Sequence, residues 1–342
     1  MNLVHVAVDA HNLVRDDRGI GRYARAILSR ALHAPGFRWT LVVRNLFPNR
    51  DAFARALGAT SVDLARRVPH DADVVWFPWN GTFLRSDVPA VATVHDAAPF
   101  AFPSRNRRIR AIEQGPFLTT AARARRILVQ SSFTAAEVER WLKFDAERIV
   151  VTPLAVDPIF VPGSAGTLPS ALRGRRYVLH VGAHDPRKNT ATLVEAYERA
   201  FPLGDVTLAF TRKPPVLPRG AVVVQAPDDP ALIALYRGAA LVALPSTYEG
   251  FGFPMLEAMA CGAPVLAADA GALPEIGGDA AAYVEDPLDP AAWSDALQTL
   301  LADEPRRAAL AARGAGRAAT FSWDRCTAQT LTVLRETAIR ER

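Results

Sequence analysis

The sequence predicts an α/β protein built as two doubly wound, parallel-sheet domains in tandem. Three observations predict it. The chain has 342 residues, more than one ordinary core accommodates. Short continuous apolar runs alternate with helical periodicity through both halves, the pattern of parallel strands covered on both faces. A Pro- and Gly-rich stretch without periodicity, Pro158-Ile-Phe-Val-Pro-Gly-Ser-Ala-Gly-Thr-Leu-Pro169, separates the halves, and the alternation restarts beyond it.

In chain order, the first buried-strand run is residues 3–10, followed by a polar loop at 11–18 and helical periodicity over 21–32. Strand runs at 39–43, 74–77, 91–95, 127–130 and 149–152 alternate with helical patterns over 51–57, 109–122 and 134–142. The second half reads as strands at 177–181, 206–210, 222–225, 241–245, 264–267 and 281–284. Its helices fall at 190–200, 230–238, 254–261, 290–301 and 304–319, and a last helix runs from 323 to about 339. The domains are therefore placed at 1–160 and 176–320, joined by a linker at 161–175, with 321–342 as a closing helix. Two such sheets place a ligand cleft between the carboxyl ends of their strands.

Half the residues are apolar and 22% are charged, as in a globular enzyme that is not fibrous or disordered. No run reaches the ~18 apolar residues of a membrane span. The start of the chain reads as a strand and lacks the features of a signal peptide. Two cysteines, Cys261 and Cys326, fit a reducing cytoplasm and build neither a disulfide framework nor a Cys-based metal site. Residues 1–160 carry 22 Arg and Lys against 15 Asp and Glu, and the remainder 18 against 20. Either the first half meets something anionic or an Arg-rich composition skews the balance; the sequence leaves both open. The run Arg105-Asn-Arg-Arg-Ile-Arg110, with Arg123, Arg125 and Arg126, reads as a solvated helix face or as a peripheral contact with anionic membrane. No nucleic-acid partner is expected.

The segment richest in chemistry is Pro245-Ser-Thr-Tyr-Glu249-Gly-Phe-Gly-Phe-Pro-Met-Leu-Glu257-Ala-Met-Ala-Cys-Gly-Ala-Pro264. It follows a buried strand and opens a helix, with Pro254 at or near the first helical position. Gly250 and Gly252 let backbone approach a ligand, and amides at a helix start suit an anion. Glu249 can accept hydrogen bonds from sugar hydroxyls, and Glu257, one turn into the helix, can hold a ribose diol.

Two glutamates flanking a Gly-Phe-Gly core make the chain resemble the family 4 glycosyltransferases. Further matches span nearly all of it: Gly19-Ile-Gly-Arg-Tyr23, His95-Asp-Ala-Ala-Pro99, Ser131-Ser-Phe-Thr134, Val181-Gly182, Arg187-Lys-Asn189, Leu273-Pro-Glu-Ile-Gly-Gly-Asp-Ala280 and Phe321-Ser-Trp323. The resemblance implies the GT-B fold, two Rossmann-like domains facing a cleft, with the last helix crossing back to the first. It implies a donor site of Gly19, Gly21, Gly182, Arg187, Lys188, Glu249, Gly250, Phe251, Gly252, Phe253 and Glu257. His95, Arg187, Lys188 and Glu249 are the implied catalytic group. His11, Arg18, Arg22, Tyr23 and Asp96 are candidates on the acceptor side.

By the same resemblance, Arg187 and Lys188 neutralise the donor diphosphate, where a fixed cation stabilises the charge gained by the leaving group. Many relatives carry arginine where this chain has Ala183, and Arg187 is the candidate to supply that charge. Gly19, Gly21 and Ala24 also spell a dinucleotide fingerprint, but the long loop before them argues against it. His5 and His180 read as core residues; His11 and His184 read as loop residues. Asp71-Ala-Asp73 reads as a solvated turn, and no metal or other cofactor is expected.

The function these features predict is retaining transfer of a hexose from a nucleotide sugar to a saccharide or lipid-linked saccharide. Likeness to bacterial mannosyltransferases of surface-polysaccharide assembly favours GDP-mannose over UDP-glucose. A nucleotide-sugar epimerase, a catalytically silent nucleotide-sugar-binding subunit and a dehydrogenase are the rivals.

Overall fold

The computed structural model describes residues 3–16, 19–45, 48–84, 86–182, 185–226 and 228–339. Arg18, Ala183 and His184, singled out in the sequence, lie outside them. The chain divides into two compact units, Met1–Leu154 with Ser322–Arg342, and Ala155–Phe321.

The first unit runs β1 (Val4–Asp9), α1 (Gly19–Ala31), β2 (Phe37–Val42), α2 (Arg50–Leu57), β3 (Leu64–Ala65), β4 (Val74–Phe77), β5 (Ala90–Thr93), α3 (Ala98–Ala101), α4 (Arg107–Arg123), β6 (Ala124–Val129), α5 (Ser132–Leu142) and β7 (Ile149–Val151). Its strands form one parallel sheet in the order β3-β2-β1-β4-β5-β6-β7. Strand β1 pairs with β2 from Val4↔Phe37 to Asp9↔Val42 and with β4 from Val6↔Val74 to Val8↔Trp76. Every residue of β1 is buried, as a continuous apolar run in a doubly covered sheet must be. Phe117 of α4 and Val138 and Leu142 of α5 pack on Val75, Phe77, Ala92, Ile127 and Val129.

The second unit runs β8 (Tyr177–His180), α6 (Thr190–Ala200), β9 (Thr207–Phe210), β10 (Val222–Val223), α7 (Asp229–Gly238), β11 (Leu241–Leu244), α8 (Phe253–Ala260), β12 (Val265–Ala268), α9 (Leu273–Gly277), β13 (Ala282–Val284), α10 (Pro290–Ala302) and α11 (Glu304–Ala318). Its parallel sheet has the order β10-β9-β8-β11-β12-β13. In each sheet the direction of winding reverses once, between β1 and β4 and between β8 and β11. Loops leaving the carboxyl ends of such a strand pair diverge, and ligands of open α/β sheets bind in the gap.

The last helix, α12 (Trp323–Ile339), belongs to the first unit and packs on α1 and the sheet. Cys326, Thr330 and Leu334, spaced one turn apart, are fully buried. The Cys326 thiol donates to the Thr152 carbonyl at 3.6 Å, and Arg30 of α1 pairs with Asp324 at 2.8 Å.

The stretch expected as a linker is docked on the second unit. Phe160 and Leu172 are buried, and the Arg237 guanidinium donates twice to the Val161 carbonyl, at 2.9 and 2.7 Å. Pro and Gly there remove periodicity without removing contacts. The sequence misses β3, α3 and α9 because two to five residues are too few to display a period. The run at 222–225 yields only the two-residue edge strand β10.

Candidate active site

The reversal between β8 and β11 brings together residues far apart in sequence. The loop after β8 makes a short 3₁₀ turn, Pro186–Lys188, begun by Asp185, whose carboxylate accepts from the Arg187 amide at 2.9 Å. The loop after β11 carries Glu249. Thr247 ties the two, its amide donating to the Arg187 carbonyl at 2.8 Å. Lys188 Nζ consequently meets Glu249 Oε1 at 2.6 Å, with both side chains less than one-fifth exposed.

Glu249 is also held from behind. Its carbonyl accepts from Ala272 N–H at 2.9 Å, and Gly271, at φ +61°, packs so close that an added Cβ would lie 2.7 Å from the Glu249 nitrogen. Gly252 has φ +99° and caps α8, with the Leu273 side chain 2.8 Å from where a Cβ would stand. Gly182 places its backbone over Lys188 and His180, each 3.6 Å from an added Cβ. The His180 ring is buried beneath. Its Nδ1 donates to the Ala243 carbonyl at 3.0 Å, and burial pushes its pKa down to about 4, so it is neutral at pH 7.

Three expectations change in this unit. Arg187 forks onto Asp185, with Nη2 to Oδ2 at 2.6 Å and Nε at 3.1 Å from both oxygens; this bonding holds the Asp185 carboxyl below its ordinary range. The guanidinium braces its own turn through Asp185, and Lys188 stands beside Glu249. The Phe251 ring is buried against Phe253 and Phe321, 5.6 and 5.9 Å between centroids, so it supports the loop from within. The start of α8 offers fewer amides than its sequence suggests. Pro254 has none, and the Met255 and Leu256 amides already donate to the Gly252 carbonyl. Glu257 stands on α8 as expected but is buried, its Oε2 accepting from the Tyr236 hydroxyl at 2.9 Å.

In the first unit the candidates gather at the carboxyl edge of the sheet. His95 follows β5. Its backbone N–H donates to Asn80 Oδ1 at 2.6 Å, and its Nε2 lies 2.9 Å from the Pro78 carbonyl. A carbonyl only accepts, so Nε2 carries the proton. Burial pushes the ring's pKa down to about 4 and keeps it neutral. Asp96 caps α3 through the Ala98 amide at 3.0 Å. Tyr23 corrects an expectation. Fully buried, its hydroxyl lies 3.2 Å from Thr93 Oγ1 and its ring edge-on to His95 at 4.9 Å, so it backs the histidine and reaches no acceptor.

Gly19 and Arg22 stand half-buried on the first turn of α1. Gly21 permits that turn to press on the Asp16 carbonyl, where any Cβ would collide. Arg25 fastens the preceding loop by donating to the Leu13 and Asp16 carbonyls at 3.0 and 2.7 Å. His11, in that loop, has Nδ1 buried without a hydrogen-bond partner.

Sequence reasoning passed over Asp9, at the end of β1. Its Oδ1 accepts from His11 N–H at 3.2 Å, its Oδ2 is buried without a partner, and burial raises its pKa. An acidic residue closing an apolar strand was the available signal.

Comparison with known proteins decides the family. The model for Glycosyltransferase Family 4 matches residues 4–160, and that for Glycosyl transferases group 1 matches residues 220–317. The chain is 35% identical over 269 residues to an O-antigen chain mannosyltransferase B of Escherichia coli, covering 71% of this chain and 69% of that protein.

The chain is a family 4 glycosyltransferase.

Solved structures agree on its GT-B fold. A sucrose-phosphate synthase from Thermosynechococcus elongatus superposes with TM-score 0.72 at 20% identity, covering 98% of this chain and 99% of that one. The Anabaena protein HepE, in complex with UDP-glucose, superposes with TM-score 0.71 at 17% identity over 98% of this chain and all of that one. Within this family 4 chain, no three His, Cys, Asp or Glu side chains group as metal ligands among the described residues. Asp71 and Asp73 are paired rather than merely solvated. Asp71 pairs with Arg38 and lies 3.4 Å from His5 Nδ1, and Asp73 Oδ2 accepts from the His5 amide at 2.9 Å. Both bind the start of β1, away from the carboxyl edge. Among the described residues no helix is long and apolar enough to cross a membrane.

Proposed function

We propose that this glycosyltransferase transfers a mannosyl group from GDP-mannose to a saccharide or lipid-linked saccharide, with retention and without a metal. The observation that carries the reading is the Lys188–Glu249 pair at 2.6 Å in the loops after β8 and β11. A nucleotide sugar presents a partner for each member. Its diphosphate takes Lys188, its sugar hydroxyls take Glu249, and its ribose diol takes Glu257. Mannose as the transferred sugar is supported by the Escherichia coli mannosyltransferase at 35% identity.

In the proposed step the bond from the anomeric carbon to the β-phosphate oxygen breaks, and its electron pair leaves with the diphosphate. Lys188 stabilises that growing charge. The acceptor hydroxyl bonds to the same face of the anomeric carbon and gives its proton to a departing phosphate oxygen. Glu249 orients the sugar and attacks nothing. Arg187 acts indirectly, through Asp185, by fixing the turn that aims Lys188. The acceptor side is assigned to His11, Arg22, His95 and Asp96, with the neutral His95 ring as a polar wall unable to compete as a cation.

Titration with GDP, UDP, ADP and TDP in EDTA is the first test, followed by NMR of the product anomer. Preference for GDP and an α-linked product from GDP-α-mannose agree with the reading; an inverted product or strict metal dependence contradicts it. A UDP-sugar donor is the second reading, supported by the UDP-glucose complex of HepE. Preference for UDP selects it. No binding to any of the four moves a silent nucleotide-sugar-binding subunit to the front.

A peripheral contact with anionic lipid accompanies a lipid-linked acceptor in this reading. Along residues 102–112, exposed arginines adjoin Phe102, Ile109 and Ile112, which are 50%, 47% and 74% exposed. Apolar side chains that insert and arginines that meet headgroups suit such a surface. Co-sedimentation with phosphatidylglycerol vesicles at low salt, lost in Ile109→Glu/Ile112→Glu, is the expected result; equal recovery without vesicles rejects it.

A further inference from the structure

We propose that Tyr236 is the positioning residue of the ribose site, setting the orientation in which Glu257 receives the donor's diol. The inference rests on the donor reading above and extends it to a residue that does not itself touch substrate.

Glu257 lies within α8 among Met255, Leu256, Ala258 and Met259, all buried, and is itself buried. A carboxylate there requires a donor to offset lost hydration. Tyr236, fully buried on α7, supplies it through its single hydroxyl proton, 2.9 Å from Oε2. The terminal torsion of a glutamate is broad, so an unanchored carboxylate samples many planes. A ribose diol needs two acceptor positions in one fixed plane. A rigid phenol holds one carboxylate oxygen, Oε2, at a fixed place in that plane.

The phenol is rigid because its helix is anchored. Tyr177 of β8 donates to the Leu235 carbonyl at 2.7 Å, next to Tyr236, and Gly238 keeps α7 close enough that a Cβ would lie 2.6 Å from the Tyr177 hydroxyl. Phe160, in the docked segment before β8, packs on the Tyr236 ring at 6.5 Å between centroids.

The test measures affinities of GDP and UDP, each beside its 2′-deoxy form, for the whole chain and four variants. Tyr236→Phe is expected to weaken ribonucleotide binding about tenfold, the effect of one charge-assisted hydrogen bond, with the deoxy form nearly unchanged. KM for the sugar donor should rise with kcat nearly constant. Glu257→Gln should abolish the ribose preference, and Tyr236→Phe/Glu257→Gln should do no further harm. Tyr197→Phe removes a buried hydroxyl on α6, which donates to the Val206 carbonyl at 2.7 Å, and should leave the ribose preference intact.

The readout is a ratio taken on one preparation, so partial loss of folded protein cancels. If Tyr236→Phe keeps the ribose preference while Glu257→Gln loses it, the positioning role is overturned and the ribose assignment stands. If Tyr197→Phe erodes the preference equally, the effect is general packing and the role is likewise overturned. A preference intact in Glu257→Gln, or no binding by the wild type, removes the donor reading and this inference with it.

Discussion

Lys188 and Glu249 stand 61 positions apart, yet their charged atoms are 2.6 Å apart. Each neutralises the other in a setting poor in water, where an unmatched charge is costly. A donor that binds both therefore exchanges one set of partners for another and strands neither charge. Lys188→Ala is expected to lower kcat by about 10²–10³-fold, the usual loss when one fixed electrostatic contact to developing charge is removed. Initial rates at saturating donor measure it. Arg187→Ala should cost less, because its guanidinium is bonded to Asp185 within the turn that carries Lys188. A larger loss for Arg187→Ala than for Lys188→Ala would reverse these assignments. The glutamates and the lysine were legible because their spacing survives in the string of residues. Asp185, Asn80 and Tyr236 were not, since each acts through a contact made by folding and carries no motif.

At the scale of elements, the turn at Gly271 packs directly against Glu249. Gly271 and Gly58 share nearly the same left-handed backbone, φ +61°, but only Gly271 faces Glu249 closely; around Gly58 an added Cβ meets nothing within 4 Å. Both Ala substitutions carry the strain of a non-Gly residue at that φ, about 1–3 kcal/mol of unfolding free energy. Gly271→Ala alone should also displace Glu249 and reduce turnover. Denaturant unfolding beside activity separates the two effects, and equal activity in both variants would show that the turn does not position the glutamate. The long helices were readable from their period, and their ends follow local chemistry such as Asn49 capping α2 through the Ala52 amide. The edge strands β3 and β10 were not, because two residues fix no pattern and pairing with a neighbour creates the strand.

Across the whole molecule, each unit holds a neutral histidine whose pKa is pushed down to about 4, His95 in one and His180 in the other. An unfolded histidine titrates near 6.5, so between pH 6.5 and about 4 the unfolded chain binds more protons. Stability is therefore fully present above pH 6.5 and falls as pH drops through that window, by roughly 1–3 kcal/mol per histidine. Asp9 works in the opposite sense. Its raised pKa means that it costs stability when ionised, so protonation returns part of the loss. Asp71 and Asp185, held below their ordinary 3.8, withdraw their contributions only below that pH. Melting temperatures should fall steadily from pH 7 to 4.5, and less steeply in His180→Asn. A flat wild-type profile would show that these rings are solvated. Separate transitions for the two units would each carry one histidine.

The sequence by itself determined the two-sheet α/β architecture and the order of its main elements. Hydrophobic period and glycine placement are local properties, so they can be read without coordinates. Only the tertiary structure decided which charges neutralise one another. Lys188 turned to Glu249 because reversal of strand order at β8 and β11 lays two distant loops side by side, while Arg187 turned to Asp185 within its own turn. It also decided that the Pro- and Gly-rich stretch docks and that Tyr23 and Phe251 face inward. Side-chain direction and burial depend on neighbours from elsewhere in the chain, and no local pattern encodes them.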